Sequence, residues 1–225
     1  MLGGPRIEVP DASAVRRAVL ERLRQAIRVG DLPGGTRLLQ TQLAEQLGVS
    51  RMPVRDAISD LVAEGLATQG PSGGAVVSVL TPDDMRDVYA VRACLEEQAV
   101  RIVAADAPEG LVADLRAIVE QATPMLKGKV AEEATALDRE FHWTIYRAAH
   151  NRFLEMALTP MWAQVERIMH AVLAMPDYLP TVWDEHTAII DAIEAGDPDL
   201  AARHALGHVH QAADRLIAST EGDQN

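Results

Sequence analysis

Asp138 and His142 stand four residues apart, so on a helix a carboxylate and an imidazole share one face, one turn apart, within reach of a single ion. Arg51 and Arg55 repeat that spacing earlier in the chain. A guanidinium there can bridge guanine O6 and N7 or grip a phosphate. Both pairs have plainer readings. Two arginines one turn apart ordinarily form a solvated face, and a lone histidine is more often a surface or hydrogen-bonded core residue than a ligand. Of the seven histidines, His150, His170 and His210 are read in that plain sense.

The elements that must position these residues follow from periodicity. Val15, Val19, Leu23 and Ile27 recur every fourth residue between Ser13 and Val29, which predicts an amphipathic helix with Ser13 as N-cap. The turn Gly30-Asp31-Leu32-Pro33-Gly34-Gly35 ends it. A short helix with Leu43, Ala44 and Leu47 then stops at Gly48, and Ser50 caps a third helix reaching Glu64-Gly65, its Pro53 tolerated in the first turn. Leu66–Thr68 and Ala75–Val79 read as a hairpin around Gly70 to Gly74. Thr81-Pro82-Asp83-Asp84 is a strong helix start. Helical patterns then fill 81–105, 109–123, 130–149, 152–174, 181–195 and 198–218 with no further strand pair. The expected class is mainly α: a winged helix-turn-helix over 1–80 (three helices plus a β-hairpin), then an all-α antiparallel bundle over 81–225.

On that layout Val54, Ile58 and Leu61 face the first two helices, while Ser50, Arg51, Met52 and Arg55 lie at the end of the third helix that enters the major groove in helix-turn-helix proteins. Arg37 is a further phosphate or base contact, and Gly73 and Gly74 let the wing approach DNA closely.

With 48% hydrophobic and 24% charged residues, the chain of 225 residues is ordinary for a globular protein. No apolar run approaches the ~20 residues of a membrane span, the start lacks a signal-peptide core, and the single cysteine, Cys94, cannot make an intramolecular disulfide. A cytoplasmic protein without membrane partners is expected. The net charge of −12 argues against nucleic acid only for the chain as a whole, because residues 1–80 carry +1 and all the acidity lies beyond them.

The run Leu43-Ala44-x-x-Leu47-Gly48-Val49-Ser50-Arg51-x-Pro53-Val54-Arg55-x-Ala57-Ile58-x-x-Leu61-x-x-Glu64-Gly65-Leu66 resembles the DNA-binding domain of GntR-superfamily bacterial transcription regulators. That resemblance places Arg37, Arg51, Arg55 and the wing glycines at DNA-contact positions, although the wing, Pro71-Ser72-Gly73-Gly74, lacks the basic residues often found there. The remainder resembles the FCD domain of the FadR-like subgroup: Asp138-x-x-Phe141-His142, then Ala148-Ala149-His150-Asn151, Glu185-His186, Gly196-Asp197 and His208. The resemblance implies a divalent metal, zinc or alternatively nickel or manganese, held by Asp138, His142, His186 and His208. His204, one turn before His208, is a ligand, a supporting partner or exposed; His208 is preferred because it matches the family position.

A small organic acid is the implied effector, with Arg92 and Asn151 as effector-binding candidates. Arg92 can instead pair with Glu96 on an exposed helix, and Asn151 can simply terminate a helix. Cys94, Trp143, Trp162, Trp183 and the Met156/Met161/Met169/Met175 stretch are read as packing or pocket lining. The expected function is a ligand-responsive transcriptional regulator, a repressor, acting as a homodimer on palindromic double-stranded DNA and not an enzyme. The alternative is a helical metal-dependent hydrolase with a winged-helix interaction module; the chain has no HExxH and no nucleophile–base pair at usable spacing.

Overall fold

The computed structural model describes residues 12–70, 74–124, 131–175 and 178–222. They fall into two compact units, Met1–Val79 and Leu80–Asn225. Among the described residues no helix is long and apolar enough to cross a membrane.

In the first unit the order is α1 (Ala12–Arg28), β1 (Arg37–Leu38), α2 (Gln40–Leu47), α3 (Arg51–Ala63), β2 (Ala67–Gln69) and β3 (Ala75–Val77). Val19, Leu23 and Ile27 of α1 and Val54, Ala57, Ile58 and Leu61 of α3 are buried. Arginines beside that seam tie the helices at their rims: Arg16 Nε donates to Asp60 at 2.9 Å and Arg24 Nε to Glu64 at 2.9 Å. Ser13 is not the N-cap of α1, which begins at Ala12; its hydroxyl accepts from Arg17 one turn on. Gly48 closes α2 in the left-handed conformation at φ 65°, which a side chain would strain, and so sets the sharp turn into α3. The hairpin carries an extra strand. β1 pairs antiparallel with β3 on the side opposite β2, giving the order β1-β3-β2 with Arg37 opposite Val76 and Ala67 opposite Val77.

The second unit is helical: α4 (Pro82–Ala105), α5 (Leu111–Ala122), α6 (Ala131–Ala148), α7 (Arg152–Leu173), α8 (Leu179–Glu194) and α9 (Pro198–Gly222). α4 starts at a capping box, in which Thr81 accepts from the Asp84 amide and the Asp84 carboxylate accepts from the Thr81 amide. α8 starts at Leu179, two residues earlier than expected, because Pro180 sits in the first turn, where its missing amide has no partner to lose. α4 packs mainly along α9, α9 also against α8, and α6 between α5 and α7. The buried stripe of α4 runs through Met85, Tyr89, Arg92, Glu96, Ala99 and Val103, so a cation and an anion occupy its apolar seam. Cys94 lies outside that stripe and is exposed, not packed. Met156 is likewise exposed, whereas Trp162, Trp183 and Met169 are buried.

Candidate metal centre and nucleic-acid interface

Three helices bring Asp138 and His142 (α6), His186 (α8) and His208 (α9) together, all buried, with one potential ligand atom from each lying within 4.8 Å of the others. His186 Nε2 is 3.4 Å from Asp138 Oδ1, and His142 Nε2 is 3.8 Å from Asp138 Oδ2. Ligands bound at about 2.1 Å on a tetrahedral ion stand about 3.4 Å apart, so the set is close to a metal's needs. The donor atoms are also left wanting. Asp138 Oδ2 and both ring nitrogens of His186 are buried without a hydrogen-bond partner, a costly state that a cation relieves. Burial lowers the pKa of His142; for His186 burial, reinforced by His208, His142 and Arg92, lowers it further, so both rings offer lone pairs at neutral pH. The residues fit a divalent ion.

Behind two of these ligands stand carboxylates. Glu96 accepts from His142 Nδ1 at 2.8 Å and from the Tyr146 hydroxyl, and Glu185 accepts from His208 Nδ1 at 2.7 Å. Each contact puts the proton on Nδ1 and turns the Nε2 lone pair towards the cluster. His186 has no such partner; its ring stacks on Phe141, centroids 4.0 Å apart and 16° from parallel. Arg92 is 1% exposed, not on an open surface, and its guanidinium donates to His142 Nε2 at 2.8 Å while Nε stands 3.5 Å from Glu96 Oε2. Burial pushes Glu96 up, but His142, Arg92 and Tyr146 outweigh it and hold the carboxyl down to about 2. Burial likewise drives the Tyr89 phenol up to about 12.

Sequence reasoning gave no role to Glu185 and left Glu96 as a surface ion-pair partner. The signal for Glu96 is its spacing with Met85, Tyr89, Ala99 and Val103; for Glu185 it is adjacency to His186. Asn151 caps α7, its side-chain oxygen accepting from the amides of Phe153 and Leu154, so it begins that helix and does not terminate one. His204 lines an open cleft of about 380 Å³ between α8 and α9 with Glu185 and His208, outside the four-residue cluster.

In the first unit, α3 presents Arg51, Met52 and Arg55 to solvent, Met52 at 65% exposure, opposite a face that is at most 5% exposed. Arg55 donates from Nε and Nη2 to Oδ1 of its neighbour Asp56 at 3.3 and 3.2 Å. Ser50 occupies the N-cap position without a side-chain cap bond, so its hydroxyl is not committed there. Arg37 is exposed on β1, and among the described residues no atom lies within 4 Å of where a side chain at Gly74 would begin. Gly73 lies outside the described residues. A helix end carrying exposed guanidinium groups over a buried face can dock on duplex DNA.

Residues 15–77 match the model of the family "Bacterial regulatory proteins, gntR family", and residues 87–211 match the FCD domain. The chain is 33% identical over 202 residues, 90% of its length and 86% of the relative's, to the probable D-xylose utilization operon transcriptional repressor of Paenarthrobacter nicotinovorans. It belongs to the GntR family. A second GntR relative, the gluconate operon transcriptional repressor of Bacillus subtilis, is 32% identical over 77% of this chain and 70% of its own. The structure of E. coli McbR/YncC superimposes with a TM-score of 0.79 at 22% identity, covering 92% of this chain and 98% of that one, a likeness of fold. This GntR protein is therefore a DNA-binding transcriptional regulator with an FCD effector domain, and the hydrolase reading is set aside because the family and its named members are regulators. GntR regulators bind DNA operators, typically as dimers, and FCD domains often bind metal.

Proposed function

We propose that this regulator is a homodimeric, zinc-containing repressor that releases a two-fold-symmetric operator when a small carboxylate enters its FCD domain. The observation that carries the reading is Arg92, a buried cation at hydrogen-bond distance from His142 inside the Asp138/His142/His186/His208 cluster. An arginine so placed is the natural partner of a ligand carboxylate. When bound, the ion supplies a positive centre for the acid's oxygens; zinc suits three imidazoles and a carboxylate, and nickel or manganese can occupy the same donors. Glu96 and Glu185 hold the ligand rings in the metal-binding tautomer, and Arg92 supplies the anchoring charge. Ser50, Arg51, Met52, Arg55 and Arg37 make the operator contacts, the arginines reading base edges or phosphates. The relatives, repressors of a D-xylose utilization operon and of a gluconate operon, point to an operon for sugar or sugar-acid use. The acid changes DNA affinity only through unequal binding to the DNA-competent and incompetent states.

The test combines metal analysis, melting and DNA binding on the intact protein. Zinc should co-purify at one per chain and fall in His142→Ala and His186→Ala. Metal-loaded protein should melt higher with an acid from a panel of carboxylic and sugar acids, and that acid should release labelled DNA from the gene's own upstream region. Full metal content in both variants refutes the ligand set; no acid that moves melting or DNA binding refutes the sensor.

A further inference from the structure

The Asp138/His142/His186/His208 cluster is closed off: its four residues are at most 4% exposed, so an ion reaches it only through the protein. The open cleft of about 380 Å³ between α8 and α9 reaches one of them, His208. His208 also lines the small void beside Arg92 and Asp138, and so stands between the cleft and the cluster. The cleft's walls are single helix faces, with Asp184, Glu185 and Ala188 on α8 and His204, Gly207 and His208 on α9. Between packed helices such a seam ordinarily carries large apolar side chains. Here it carries metal-ligand types and two of the smallest residues. A glycine in mid-helix weakens the helix, and packing does not require this one. Among the described residues, a side chain begun at Gly207 would meet only Gln211 Nε2, at an unstrained 3.8 Å. What the glycine leaves is room in the cleft.

The donors along the cleft form a series leading inward. Asp184 is an exposed carboxylate, and His204 offers a half-buried imidazole one turn from His208. Glu185 Oε2 accepts from His208 Nδ1 at 2.7 Å, while Glu185 Oε1 is buried with no hydrogen-bond partner. A buried carboxylate oxygen without a donor is costly, and a passing cation relieves it. Arg203, the exposed cation that also lines the cleft, has the charge of Asp199 acting on it. Carboxylates and imidazoles are the donors zinc accepts. We propose that this cleft is the passage by which a divalent ion enters and leaves the buried cluster, with Asp184, His204 and Glu185 as first donors and Gly207 and Ala188 keeping it open. It rests on the zinc reading above and adds how the cluster is reached. His208 hands the ion inward when its bond to Glu185 parts. A passage sets the height of a barrier and not the depth of the well. Blocking it therefore slows loading and release by the same factor and leaves the dissociation constant unchanged.

The experiment is stopped-flow zinc exchange on the full-length protein. Loading is followed on metal-free protein, and release into a chromophoric chelator at concentrations where the rate no longer depends on it. Equilibrium competition against the same chelator gives the affinity. Gly207→Leu and Ala188→Leu fill the cleft from opposite walls. Each should slow loading and release alike, by about tenfold or more, with affinity held within about threefold. In His204→Ala both rates should also fall, by about threefold or more, at constant affinity. Rates within about threefold of wild type in the leucine variants overturn the passage. Slower loading with release unchanged or faster also overturns it, because that pattern is a damaged cluster and not a blocked path. Unchanged rates in His204→Ala, or an affinity loss of about tenfold there, overturn its part as a first donor. Wild-type protein that takes up no zinc overturns the metal reading, and the passage with it. Either leucine variant decides the matter where the other does not fold.

Discussion

Replacing Glu96 with glutamine exchanges one carboxylate oxygen for an amide nitrogen and leaves the side chain's shape almost unchanged. Glu96 is fully buried, accepts from His142 and Tyr146, and lies 3.5 Å from Arg92. In Glu96→Gln the 1% exposed Arg92 keeps its charge but loses the counter-charge one turn away. Removing one partner of a buried pair costs about 3–5 kcal/mol. The glutamine still accepts one hydrogen bond, worth about 1 kcal/mol, and Asp138 lines the same void as a remaining carboxylate, so about 2–4 kcal/mol is expected. For a unit of this size that lowers the melting midpoint by about 5–15 °C. A second effect is independent of the first. An amide nitrogen against His142 Nδ1 favours the tautomer whose proton sits on Nε2, which removes a metal-facing lone pair, and loss of such a supporting group weakens metal binding about 10–100-fold. Calorimetric melting in chelator reads the stability; competition for zinc against a chromophoric chelator reads the affinity. A midpoint within about 2 °C of wild type, with affinity within about threefold, would refute both the buried pair and the tautomer argument.

The reading head and the protonation of the bundle give two more tests. Arg51→Ala and Arg55→Ala should each weaken operator binding by about 1–3 kcal/mol per half-site where the side chain reads a base edge, with folding stability unchanged within about 0.5 kcal/mol because both residues are exposed. A loss uniform across operator variants assigns the residue to a phosphate, and unchanged affinity in both refutes the interface. For metal-stripped protein, the pKa values of His142 and His186 are lower folded than unfolded. Their stabilising contribution is therefore complete above about pH 6.5 and is lost as the pH falls below it, by up to about 1.4 kcal/mol per pH unit for each ring, because the unfolded chain takes protons the fold refuses. Urea melts at pH 7.5, 6.5 and 5.5 should show that decline, and a flat profile contradicts neutral buried rings.

Much of this was legible in residue order. Thr81-Pro82-Asp83-Asp84 carries its own cap chemistry, so the start of α4 was readable to the residue. Long helices announced themselves by period, and Asp138 and His142 by spacing on one of them. What escaped depended on contacts distant in sequence. β1 is two residues long, too short for alternation to register, and exists only because β3 offers it a free edge. For Arg92 residue order left two readings, an effector-binding cation or a pair with Glu96 on an exposed helix, and the burial of both side chains sets aside the exposed helix. Cys94 and Met156 are apolar by type, yet each falls on an outer face of its helix. Neither could Glu185 be assigned to His208 without α8 and α9 side by side. Asn151 has local cap chemistry at the start of α7 that residue order alone did not assign.

The capping box at Thr81 and Asp84 has a mechanical consequence. Only residues 78–81 separate the last strand of the first unit from the first turn of α4. An uncapped helix could absorb a push by unravelling at its end. This one is latched at its first turn, and from Pro82 to Ala105 it forms a rod about 36 Å long with Tyr89, Arg92 and Glu96 along its span. A helix latched in this way keeps Tyr89, Arg92 and Glu96 at fixed spacing along one rod, so a shift of one of them is shared with the other two.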